Sequence, residues 1–158
     1  MSFAGTGIAE LDRLLGGGIR RSHSILLQAD VGTIHERFLF SFIKEALDKG
    51  EHVCHVSMDE NIDAFIHMVK FVSPSVLEFL GKNLFVVDLQ TSREVQLPDA
   101  IRNGVFTVSD PANPSLVVAM TGSFLARLKA IAKSGLRYVA NSLSGAIMTY
   151  GHPAAYKI

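Results

Sequence analysis

Residues 24–37 place an apolar run, Ile25, Leu26 and Leu27, before a loop with Gly32 and Thr33, followed by a helix-like segment opening with His35, Glu36 and Arg37. Strand, glycine-containing loop and helix in that order form the frame in which many proteins hold nucleotide phosphates. There the glycines let backbone N–H groups wrap the phosphates, a lysine neutralises the β/γ charge, and a serine or threonine hydroxyl holds magnesium. The loop here reads Ala29, Asp30, Val31, Gly32, Thr33, Ile34, His35 and Glu36. It has one glycine and no lysine, and it carries two carboxylates where the chemistry calls for positive charge.

Two further places could do chemistry. The apolar run 53–58 ends in an acidic pair, Asp59 and Glu60, which could serve as a general base. The same residues, with Asn61, could simply open the next helix, where acidic and amide side chains satisfy free N–H groups. Six histidines occur, at 23, 35, 52, 55, 67 and 152. His52 and His55 are three apart on a strand and so point to opposite faces, which argues against a shared metal ion, and no metal site is expected. His35 sits where a helix begins, and Arg37 two residues on could meet an anion bound at that helix end. The single cysteine, Cys54, lies inside an apolar run and reads as an inert core thiol.

The elements that must position these groups alternate along the chain. Residues 8–15 carry apolar side chains at helical spacing and stop at Gly16, Gly17 and Gly18. Residues 24–28 read as a strand, and Phe38, Phe40, Phe42, Ile43, Ala46 and Leu47 mark a helical face that ends near Gly50. A strand follows at 53–58, a helix at 62–72, a short helix at 75–80 behind Pro74, and a strand at 84–89. Between 90 and 115 the pattern is weaker. Residues 105–108 form a short strand between two turn signals, Asn103-Gly104 and Asp110-Pro111. A helix over 116–133 and a strand entered at 137–140 and ending at 141–144 complete the series, and residues 146–150 extend that last element or add one short strand. Strands alternating with helices of ten or more residues predict βαβ units and a mostly parallel sheet covered on both faces.

At 158 residues the chain is expected to form a single domain, 1–158. Fifteen basic residues balance fifteen acidic ones, which argues against a nucleic-acid stripe. No unbroken apolar run approaches the ~18 residues of a membrane span, so a cytoplasmic protein without membrane association is expected.

Four segments, in order, resemble the KaiC and RecA-like family of P-loop ATPases. The opening, with Thr6-Gly7, Leu11-Asp12 and the three glycines 16–18, is similar to that family's lead-in. The loop described above aligns through Leu26, Leu27, Gly32 and Thr33. Residues 53–60, with Gly50 and Glu51 before them, resemble the second strand and its terminal acidic pair. Residues 138–144, with Asn141, Ser142, Leu143 and Ser144, resemble the Walker B strand and its trailing serines. The resemblance implies a three-layer α/β/α RecA-like P-loop NTPase fold, here truncated after the Walker B-like strand.

It also gives the departures their meaning. The phosphate-loop lysine falls at His35, and neutral imidazole is no substitute for a permanent ammonium. Glu36 takes the magnesium-hydroxyl position and Asn141 that of the Walker B aspartate, where an amide brings no charge. Asp59 and Glu60 correspond to the pair that orients the attacking water, but a base without bound Mg-ATP has nothing to act on. The expectation is a pseudo-ATPase with a vestigial phosphate loop, no cofactor and no catalytic residues. It would act as a regulatory or interaction module with copies of itself, or with an active relative. The first alternative is a weak ATPase with Glu60 as base and Arg37 or Arg20 standing in for the lysine. The second is a DNA-associated recombinase paralogue. Relatives place one more strand between the Walker B and phosphate-loop strands. Here residues 105–108 are expected to fill that gap, or another subunit to cover the edge, which favours a homo-oligomer.

Overall fold

Two short apolar runs, His52–Ser57 (β3) and Leu84–Asp88 (β4), have almost no residue that water can reach, because both faces of each strand are covered. That is the signature of central strands in a parallel sheet. The structure, a computed structural model, describes residues 2–30, 33–94 and 100–155. Its elements begin with Phe3–Ala4 (β1), Ala9–Leu14 (α1), Ile19–Arg20 (β2) and His35–Asp48 (α2). After β3 come Ile62–Val72 (α3), a 3-10 turn over Pro74–Phe79, β4, Thr91–Glu94 (α4), Ala100–Arg102 (β5) and Val105–Thr107 (β6). Pro114–Ile131 (α5), Leu136–Asn141 (β7), Leu143–Tyr150 (α6) and His152–Ala155 (α7) follow. Among the described residues, five strands form one sheet in the order β5-β6-β4-β3-β7, parallel except for the β5–β6 hairpin, and β1 pairs with β2 in a separate ribbon.

Each face of the sheet carries an apolar layer. On one side α2 lays down Phe40, Ile43, Ala46 and Leu47 at 3-4 spacing, and with Phe65 and Val69 of α3 they pack on Val53, Val86 and Val139. On the other side Val117, Phe124 and Leu128 of α5, together with Ala146 of α6, pack on Cys54, Val56, Val87 and Phe106. This is the expected three-layer arrangement. By length and apolarity alone α5 would suffice to cross a membrane, which a count of unbroken apolar runs does not register. In the fold its apolar face is a layer of the core.

Three sequence expectations are corrected. Residues 24–28 form no strand: they carry no ladder partner, and Ile25, Leu26 and Leu27 are 54%, 73% and 47% exposed. A β-run exists through its neighbour, and none of the described strands lies beside this one. Residues 105–107 are a strand, but β6 pairs with β4, on the side of the sheet opposite β7, so the gap beside β7 is not filled from there. Residues 146–150 belong to helix α6, because Ser142 caps a helical turn by accepting a hydrogen bond from Gly145 N. The β5–β6 hairpin is set by Asn103 and Gly104, both with positive φ (50° and 84°), the pair of conformations a tight two-residue turn demands.

At the amino end of the sheet a buried charge cluster ties the lead-in down. Glu51, 2% exposed, accepts from Arg21 at 2.7 and 3.1 Å and from Arg137 at two distances of 3.2 Å. Arg137, 4% exposed, also donates to the carbonyls of Gly5 and Phe42, and its guanidinium lies 4.5 Å from the Phe42 ring centre. Burial alone would raise the Glu51 carboxyl; the hydrogen bonds from Arg21 and then Arg137 outweigh it and hold Glu51 below the ordinary range.

Candidate functional site

The carboxyl ends of three strands lie in register, with Ser57 of β3 opposite Asp88 of β4 on one side and Asn141 of β7 on the other. Helices α2, α3 and α6 turn their amino ends toward the loops around this row. In open α/β sheets that crevice is where ligands bind.

The carboxylates near it stand in different surroundings. Asp59 accepts a 2.6 Å hydrogen bond from Ser142 Oγ at the first turn of α6. A Cβ on Gly145 would lie 1.6 Å from Asp59 Oδ1, so only glycine there leaves room for the carboxylate. Glu60 is partly buried. Desolvation first, then the negative charges of Glu36 and Asp59, push its carboxyl above the ordinary range, while His35 works against them. Glu36 in turn lies 3.6 Å from His35 Nε2. Opening of α3 falls to Asn61, whose side chain accepts from Ala64 N at 2.9 Å, so Asp59 and Glu60 take no part in that cap.

The loop before α2 closes on itself. Thr33 donates to the Asp30 carbonyl through both its hydroxyl (2.7 Å) and its amide (3.1 Å). Ala29, Asp30, Thr33 and Ile34 are exposed, and α2 begins at His35 without a side-chain cap. Val31 and Gly32 lie outside the described residues. Asn141 ends β7, where its carbonyl accepts from Met58 N at 2.7 Å. Thus His35, Glu36, Asp59 and Glu60 share one electrostatic neighbourhood at the sheet end that Asn141 also reaches, while the two candidate replacement cations stand elsewhere. Arg37 lines a groove against Phe71 and Ser73, and Arg20 sits in the β1–β2 ribbon opposite Phe3.

Among the described residues no three His, Cys, Asp or Glu side chains converge as metal ligands do. The Thr33 hydroxyl is spent on the Asp30 carbonyl. Cys54 is fully buried, and its thiol is pushed up to about 12 by desolvation, so it is no nucleophile.

One residue of this end was not singled out from the sequence. Asp88, fully buried, accepts from the amides of Ile62, Gln90 and Thr91 and from the Thr91 hydroxyl, and so anchors the starts of both α3 and α4. An aspartate ending an apolar run and followed three residues later by threonine was the available signal.

The comparisons with known proteins agree with this architecture. Residues 4–111 match the profile of the KaiC ATPase family. A UPF0273 protein of Aeropyrum pernix is 31% identical over 115 residues, which are 72% of this chain and 45% of that protein. The chain thus spans less than half the length of that relative. With the lead-in, the mostly parallel sheet and the match over most of its length, the chain belongs to the KaiC family of RecA-like ATPase domains.

Proposed function

We propose that this domain has given up ATP chemistry and works as a regulatory or protein-interaction module of the KaiC family, pairing with copies of itself or with an active relative. The observation that carries the reading is the pair His35 and Glu36, 3.6 Å apart in the first turn of α2, where a nucleotide would need a permanent positive charge and a hydroxyl. Two unit charges 4 Å apart interact by about 4 kcal/mol at the effective dielectric of a protein surface, and a triphosphate would meet several such repulsions. Asp59 held by Ser142 and Thr33 held by Asp30 further support it.

A weak ATPase is the second reading. It is favoured by the start of α2, which no side chain caps, although the Arg37 amide already donates to the Ile34 carbonyl. Nothing among the described residues favours the recombinase paralogue.

A thermal melt with millimolar Mg-ATP decides between the first two. Saturation at a hundred times Kd would add about 2.7 kcal/mol. For a chain of this size that is a rise of roughly 5–10 °C. The expected change is under 1 °C, and a rise of several degrees would sink the proposal.

A further inference from the structure

Helix α1 lies open on the surface of the described residues. It buries none of its residues, and Leu14 and Leu15 are 76% and 46% exposed. Glu10, one turn before Leu14 on the same face, makes no ion pair among the described residues. On the neighbouring flank, α2 and the end of α3 enclose an open groove of about 320 Å³ lined by Arg37, Phe40, Ser41, Lys44, Phe71 and Ser73. Arg37 makes no ion pair among the described residues, Lys44 is shared with Asp48, Phe40 forms an apolar floor, and Phe71 is 82% exposed. An exposed aromatic beside an arginine is the composition of a protein-binding hot spot rather than of a solvated surface.

The two features are complementary and adjacent. Helix α1 offers an acid and leucines; the groove offers a guanidinium, an ammonium and phenyl rings. Gly7, just before α1, packs so closely on α2 that a Cβ there would lie 2.5 Å from the Ser41 carbonyl, which places α1 beside the groove on one molecule. A patch that carries both halves of a complementary pair can satisfy itself twice across a two-fold axis, and the assembly then closes at two copies. We propose that α1 of one copy docks in the α2/α3 groove of a second, with Leu14 against Phe40 and Phe71 and Glu10 on Arg37, giving a closed dimer. This goes beyond the loss of ATP chemistry and stands whether or not nucleotide binds.

Light scattering on the full chain at 1–100 µM reads the mass, which should reach twice 17.2 kDa and fall back as salt rises. Arg37→Glu and Glu10→Arg should each weaken dimerisation at least tenfold, and a chain carrying both should recover it, with far-UV circular dichroism unchanged throughout. Because Cys54 is buried, disulfide trapping gives a second measure. Leu14→Cys with Phe71→Cys should yield a covalent dimer under oxidation, and either substitution alone should not. A wild-type mass that stays monomeric at 100 µM would overturn the proposal. So would open-ended oligomers, dimerisation indifferent to both charge reversals, or no covalent dimer from the paired cysteines.

Discussion

Replacing Glu51 by glutamine isolates the energetics of the charge cluster at the amino end of the sheet. The change keeps the shape of the side chain and removes the charge that two guanidiniums share. The side chains of Glu51 and Arg137 are 2% and 3% exposed, so solvent cannot compensate Arg137 once its partner is neutral. Breaking a buried pair from one side costs about 3–5 kcal/mol. Arg137 retains the carbonyls of Gly5 and Phe42 and the Phe42 ring, which points to the lower end, about 3 kcal/mol. At 2–4 °C per kcal/mol for a chain this long, the melting temperature should fall by about 6–12 °C. The Arg21 side chain is 34% exposed, so Arg21→Met should cost under about 1 kcal/mol. Glu51→Leu combined with Arg137→Met should recover most of the loss, since a well-packed apolar pair can replace a buried ionic one. Calorimetry with urea titration reads all three. A Glu51→Gln cost no greater than that of Arg21→Met, or a fully additive double variant, would refute the buried-pair account. The pH dependence has a definite sign. Glu51 is held below its ordinary value of 4.5, so its contribution is complete above that value and is lost as pH falls through the lower folded one.

Further predictions concern single side chains. His55 is 1% exposed and stacked 4.9 Å from Phe65, and desolvation lowers it from 6.5 to about 4. Its folded value is the lower one, so stability should be full above pH 6.5 and fall by about 3 kcal/mol towards pH 4, at 1.36 kcal/mol per unit. His55→Phe should flatten the urea midpoint over that window, and an unchanged slope would count against the assignment. Gly145→Ala must push the exposed Asp59 carboxylate off Ser142, while alanine gains about 1 kcal/mol of helix propensity in α6. The two effects should leave stability within about 1 kcal/mol of wild type by urea titration, and a loss above about 3 kcal/mol would mean that Asp59 cannot move aside.

The central architecture was legible because strands covered on both faces leave solid apolar runs. Residues 53–58 and 84–89 could hardly be anything else, and the helical faces of α2, α3 and α5 repeat at 3-4 spacing. The placement of Asp59, Glu60 and Asn141 at one end of the sheet followed from their positions at strand ends. What failed was whatever depended on a partner distant in sequence. Residues 24–28 have the composition of a strand but not its neighbour, and composition carries no information about neighbours. Strand β5 is three residues long, and only the turn at Asn103 and Gly104 hinted at it. Residues 146–150 are a short apolar run that periodicity cannot assign, and it was the Ser142 cap that settled them as helix. The Asp59–Ser142 contact joins residues 83 apart, and Asp88 is explained only by the two helix starts it serves.

The Arg137 cluster also bears on the order of assembly. Its hydrogen bonds span 86, 95 and 132 residues, among the longest chain closures in the molecule. Loop-closure entropy must be met before such contacts contribute, so they form late on the folding route. The ribbon of β1 and β2 is tied to Glu51 by Arg21 over a short stretch of chain, whereas the clamp of Arg137 on Gly5 is added only when β7 arrives. Substitutions in the cluster should therefore speed unfolding and leave the folding rate nearly unchanged, so that it sets how long the folded domain lasts more than how fast it forms.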